Sequence, residues 1–251
     1  MTTRAAFLER IQREVGKTSG LFTASAASRP ARPMEAAEAV RRQMAERWPA
    51  ALERFKEEFE RVGGVFHRVA GLDHVPGVIA QLAKGTAATR LVTWDPAALG
   101  VDLRTTLGAE GLSVLTAGEA DESVRRRHRE DSARAQIGVT GADLALAETG
   151  TLVLISGRGR SRAASLLPET HIAIFDPSRL VESLEQVGIM LEAWHVEPGR
   201  SMSGAMINFI TGPSRTADIE LTLTRGVHGP KHVHAIFVAE EREPSVRASR
   251  P

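Results

Sequence analysis

The chain has 251 residues, 42% of them hydrophobic and 25% charged, enough to bury one large core, so it reads as one α/β domain with or without an extension. A net charge of +1, 4% aromatic residues and no tyrosine exclude the basic, base-stacking surface of a nucleic-acid binder. The cysteine count is zero, which excludes a disulfide, a thiol nucleophile or an iron–sulfur cluster held by this chain.

The opening MTTRAAFLERIQREV mixes acidic with basic residues, unlike a secretory leader or a transit peptide, and no apolar run is long enough to cross a bilayer. A cytoplasmic location is the expectation. Within that opening, Arg4 to Val15 is a short amphipathic helix with Phe7, Leu8, Ile11 and Val15 on one face. The small residues and prolines of GKTSGLFTASAASRPARP make a linker. From Met34 to Arg61 the Ala-, Glu-, Arg- and Leu-rich pattern predicts two consecutive helices, interrupted at Pro49 and stopped by Gly63-Gly64. Residues 1–62 thus form an N-terminal helical arm and linker, 63–239 the main domain, and 240–251 a charged tail.

After Gly64 the texture changes. Apolar runs VFHRVA, TRLVTW and LSVLTAG alternate with helical stretches at Val75–Lys84 and Glu119–Arg134, the cadence of βα units around a largely parallel sheet. The second of those helices carries charges of both signs and suits a solvated face. IGVTGADLALAETGTLVLISG then gives three short strands, HIAIFD another, and SRLVESLEQVGIMLEAW an amphipathic helix with Ser178 as its N-cap. HVHAIFV is the last strand.

Four segments carry possible chemistry. Glu148 follows LALA and precedes Thr149-Gly150-Thr151, which sets a carboxylate at a strand end beside a glycine that gives a ligand room. Partly desolvated, it would be a nucleophile, base or hydrogen-bond acceptor; otherwise it accepts amide bonds within a turn. The loop SGRGRSRAAS, with Ser156, Arg158, Arg160 and Arg162, is either a clamp for phosphate or carboxylate or an exposed flexible loop, and it lacks the Gly-Lys-Ser/Thr ending of a Walker loop. In TGPSRTADIE, Ser214 and Arg215 bind an anion with Asp218 orienting the arginine, or they form a capped turn with a local ion pair. RGVHGPKHVHAI sets His228 and Gly229 in turns and His232 and His234 on one side of a strand. Three histidines raise a zinc site, but their spacing matches no closed set, so no metal is expected and His228 instead holds a turn or meets an anionic substrate. No serine sits in a nucleophile elbow.

GVTGADLALAETGTLVLISG, SLLPETHIAIF and GPSRTADIELTLTRGVHGPKHVHAI resemble, in order, the signatures of the LUD domain family, over about Gly63 to Ala239. The matched positions are Thr140, Asp143, Glu148, Thr149, Gly150, Thr151, Ser165, Leu166, Pro168, His171, Gly212, Ser214, Asp218, Gly226, His228, Gly229 and His234; His232 lies outside the pattern. The resemblance implies an α/β, NagB/RpiA/CoA-transferase-like three-layer fold, here with an N-terminal helical extension. It also implies a place in the three-part lactate utilization system that oxidises L-lactate to pyruvate, in which two members carry cysteine-rich cluster motifs. A cysteine-free chain is then the third member, with no cofactor of its own and with cluster-bearing partners that its arm or the Met34–Arg61 helices could dock. By analogy with related CoA-transferases, Glu148 would line the pocket. The expectation is one cleft, formed by Glu148 to Thr151, the 156–162 loop, Ser214-Arg215 and His228, that holds a small carboxylate or phosphorylated ligand. A free-standing transferase or cyclo-ligase, or a small-anion-binding regulatory module, are the other readings.

Overall fold

The computed structural model describes residues 4–17, 30–116, 122–198, 206–217, 223–226 and 228–240. Most of the expected linker and tail, and Asp218 with them, lie outside the described residues.

Helix α1 is Arg4–Lys17, with Phe7, Leu8 and Ile11 exposed. The expected pair of helices is a single helix, α2, over Pro33–Arg61 with Pro49 inside it. Proline removes one amide donor and costs a helix interior about 3 kcal/mol. That cost is offset because both halves bury an apolar stripe: Ala37, Val40 and Met44 before the proline, Ala51, Leu52, Phe55 and Phe59 after it. Fully burying each phenylalanine contributes roughly 1.5–3 kcal/mol.

The βα cadence is borne out. In chain order come β1 (Val65–Val69), α3 (Val75–Gly85), β2 (Arg90–Thr93), α4 (Pro96–Leu99), α5 (Leu103–Ala109), β3 (Ser113–Thr116), α6 (Glu122–Arg134), β4 (Ile137–Gly141), β5 (Leu144–Leu146) and β6 (Thr151–Ile155). Then follow α7 (Ala163–Leu166), β7 (Thr170–Phe175), β8 (Leu180–Val181), α8 (Leu184–Val196), β9 (Ile207–Ile210), β10 (Arg215–Ala217), β11 (Leu223–Arg225) and β12 (His232–Val238). The helix expected to start at Ser178 starts later. Asp176 accepts the Ser178 N–H and closes a 3-10 turn, Leu180–Val181 forms a short strand, and Ser183 is the N-cap of α8 through the Gln186 N–H.

The main sheet has six strands in the order β1-β12-β7-β4-β2-β3, all parallel. Helices cover both faces, as a three-layer fold requires. On one face Phe66, Phe175 and Phe237 meet Phe55 and Trp48 of α2, with ring centroids 5.1–6.5 Å apart. Gly138 lies on that face too, and a Cβ there would stand 1.8 Å from the Ala164 carbonyl of α7. On the opposite face a Cβ at Gly141 would come within ordinary contact of Trp94 and of Ala98 in α4. A second sheet of four strands, β8-β5-β6-β9, folds back from the end of β4, and β10 and β11 form a separate ribbon. No described helix is long and apolar enough to cross a membrane.

Candidate functional site

From β2 the chain runs outward to β3 and then returns to β4 on the other side of β2. The strand order therefore reverses between β2 and β4, the position at whose carboxyl ends open parallel α/β sheets commonly bind ligands. Trp94 and Asp95 leave β2; Ala142 and Asp143 leave β4.

Asp143 is 3% exposed and fully used: Oδ2 accepts the Ile155 N–H at 2.7 Å, and Oδ1 accepts from Arg160 Nη2 at 2.6 Å. The Arg160 guanidinium lies over the Trp94 indole, Cζ 4.6 Å from the ring centroid. Trp94 is fixed in turn, its Nε1 donating to the Ser161 carbonyl at 3.1 Å and its backbone N–H to the Val139 carbonyl at 3.0 Å. Gly157 and Arg160 exchange backbone bonds across a tight turn in which Gly159 has φ +67°, and the Gly159 carbonyl accepts the Asp95 N–H at 2.8 Å. One polar atom is left over: Arg160 Nε is buried and has no hydrogen-bond partner among the described residues.

The structure does not bring the expected cleft together. Thr149 to Thr151 and the 156–162 loop sit at opposite ends of β6, about 17 Å apart at the rise of an extended strand. Glu148 is exposed rather than desolvated, and its Oε2 accepts the Leu184 N–H at 2.9 Å, capping the positive end of α8. Of the two readings of Glu148, this geometry is the acceptor of backbone amides. Gly150 gives room to a helix and not to a ligand: its φ is +61°, and a Cβ would stand 2.2 Å from the Phe59 amide nitrogen of α2. Beside it the Thr149, Thr151 and Thr211 hydroxyls form a chain with 2.7 Å links.

The remaining candidates gather near the carboxyl end of α2. Arg215 donates to the Val62 carbonyl, one of the acceptors a helix end leaves open. The Ser214 N–H donates to the Pro230 carbonyl, its own carbonyl accepts the Gly226 N–H, and Gly229 packs on its side chain. His228 is exposed. On the other loop, Ser156 Oγ exchanges bonds with the Met206 backbone and ties β6 to β9, Arg162 donates to Asn208 at 3.1 Å, and Arg158 is exposed.

The histidines pair differently from the spacing-based grouping. His234 Nδ1 lies 3.0 Å from Nε2 of His67 in β1, the rings stacked 5.3 Å apart, while His232 is exposed. Burial lowers the pKa of His67. Burial, then the charges of His67 and His232, lowers that of His234 to about 4. His171, buried in β7, meets Thr140 Oγ1 at 2.9 Å, has its Nδ1 unpartnered among the described residues, and is lowered by burial and then by His234 to about 3. No three His, Asp or Glu side chains among the described residues are grouped to hold a metal. Trp94, Asp143, His67 and His171 were not singled out as site residues by their spacing. Asp143 and His171 stood only among the positions matched to the family's signatures, and Asp143 showed besides as an aspartate directly after Gly141-Ala142.

A family model described as the LUD domain matches residues 52–238. The chain is 38% identical over 171 residues to Lactate utilization protein C of Halalkalibacterium halodurans, covering 68% of this chain and 70% of that one. It is 42% identical over 120 residues to Lactate utilization protein C of a Geobacillus strain, covering 48% and 49%, about half of each. Among solved structures, a DUF162 family protein from Deinococcus radiodurans superposes with a TM-score of 0.51 at 21% identity, covering 76% of this chain and 98% of that one.

Proposed function

Because the chain belongs to the LUD domain family, we propose that it serves lactate utilization in the cytoplasm, as the component without iron–sulfur clusters of a three-part system that oxidises L-lactate to pyruvate. The observation that carries this reading is the 38% identity to Lactate utilization protein C over 68% of the chain. The absence of cysteine supports the division of labour. A chain with no thiolates supplies no ligands of the usual cluster kind, so electrons leaving lactate pass to clusters in partner proteins. This chain then contributes a binding surface and a ligand crevice, the latter at the carboxyl ends of β2 and β4, where a small carboxylate or phosphorylated ligand would sit. Nothing favours the transferase reading in particular, since the Glu148 carboxylate stands at the surface on the Leu184 amide.

The test is to isolate the tagged protein from its native host grown on L-lactate and to assay the eluate for L-lactate-dependent reduction of an artificial electron acceptor. Co-eluting iron–sulfur proteins with that activity are expected. A single pure chain, with the activity left behind in the unbound fraction, would overturn the reading.

A further inference from the structure

Two helices are each left with a bare apolar side. In α1, Phe7, Leu8 and Ile11 share one side, all about half exposed, and the helix packs along no other described element. A lone helix of 14 residues is marginal in water, since helices in proteins draw most of their stability from packing such a side. α8 is apolar almost all round. Val187, Met190, Ala193 and Trp194 are buried, yet Leu184 and Val196 are about half exposed on the other side, with Ile189 and Leu191 half-buried beside them. We propose that α1 of one protomer packs on the outward side of α8 of a second copy of this chain, and that the exchange is reciprocal in a two-fold dimer.

Charge, length and surface relief support this. α1 carries Arg4, Arg10, Arg13 and Lys17 against Glu9 and Glu14, whereas α8 carries Glu185 and Glu192 and neither lysine nor arginine. The exposed Glu148 adds a third carboxylate where it caps the first turn of α8. The two surfaces are thus both apolar and of opposite sign. Two copies of α1, or two of α8, would instead set like charges together, which selects the pairing of α1 with α8. At 1.5 Å per residue the helices are about 21 and 20 Å long, so one covers the other from end to end. Gly188 sits in the same row as Leu184, and a Cβ there would meet nothing within 4 Å, which leaves a notch in the outward side for one large side chain such as Phe7. Within one chain the two sides stay apart. Residues 18–29, which join α1 to the domain, reach at most about 40 Å when drawn out, enough for the arm to cross to a neighbour. A two-fold pair covers both sides twice and uses no surface that the chain does not itself carry.

The experiment is sedimentation velocity of the full chain at tens of micromolar, with charges reversed in two variants: Arg10→Glu with Arg13→Glu in α1, and Glu185→Lys with Glu192→Lys in α8. The expected wild-type species is a dimer of twice 27.1 kDa that dissociates as salt is raised. Each double variant alone is expected to self-associate at least about tenfold more weakly, because it sets like charges against each other at both contacts. An equimolar mixture of the two is expected to form the dimer again, since the acidic arm then meets the basic helix and the basic arm meets the acidic one. A wild-type monomer would overturn the proposal, whether the arm is then found folded on its own chain or held by a cluster-bearing partner. So would a dimer that neither reversal weakens, or a mixture of folded variants that stays monomeric. Arg10 and Arg13 are exposed on a helix outside the core, so their reversal decides the matter even if the α8 variant fails to fold.

Discussion

Lowering the pH from 7 to 5 charges histidines in the unfolded chain that the folded chain keeps neutral. His171 is fully buried, with its pKa lowered from 6.5 to about 3 by burial and, secondarily, by His234. His234 is lowered to about 4 by burial, then by His67 and His232. Between those values and 6.5 the unfolded state binds more protons than the native state, so stability is fully present above pH 6.5 and falls as pH falls toward 4 and then 3. At pH 5 the unfolded imidazole lies about 1.5 pH units below its own pKa, which places the cost from His171 at about 2 kcal/mol. His234, which keeps some solvent contact, adds less. Against a typical total of about 5–15 kcal/mol, that is a large share. Urea unfolding followed by the fluorescence of Trp48, Trp94 and Trp194 at pH 7, 6 and 5 reads it directly. The expected result is a loss of at least about 2 kcal/mol in the wild type, and a visibly smaller loss in His171→Gln, whose amide can still meet Thr140. An identical pH slope in the two proteins would refute the reasoning.

Three other perturbations follow from close contacts. Gly138→Ala places a Cβ 1.8 Å from a backbone carbonyl of α7 and is expected to cost about 1–3 kcal/mol or more in thermal unfolding, whereas Gly77→Ala, open in α3, should be neutral or stabilising by about 0.4–1 kcal/mol. Arg160→Ala leaves Asp143 buried with only the Ile155 amide and should cost about 3 kcal/mol, while the double change Asp143→Asn with Arg160→Gln should recover much of it; equal stability of the two in urea would contradict a buried ion pair. Glu148→Gln should cost no more than about 1 kcal/mol, since an exposed carboxylate loses only its interaction with the start of α8; an effect several-fold larger in a melting experiment would mean that Glu148 has another role.

The strands of the main sheet were legible because strands buried on both faces read as near-continuous apolar runs, as residues 172–175 of β7 and 235–238 of β12 do. What spacing could not reveal was which distant element fills the space beside a residue. Gly150 has the composition of a ligand-approach glycine, and only the fold places Phe59 of α2 against it. Arg160 was visible as one arginine among several, but its orientation depends on Asp143, seventeen residues away, and on Trp94 from another strand. Pro49 misled for the same reason, because its local cost is outweighed by burial on both sides of it.

The order of the main sheet also governs how the chain can assemble as it is synthesised. β1 pairs within the sheet only with β12, joining Val65 to His234 across 169 residues (234 − 65), and β12 fills the gap between β1 and β7. Until residue 238 has left the ribosome, β1 has no partner in this sheet and β7 presents a bare apolar edge. Closure therefore waits for β12, is of high contact order and slow, and a polypeptide that loses β12 loses the seam of the whole sheet.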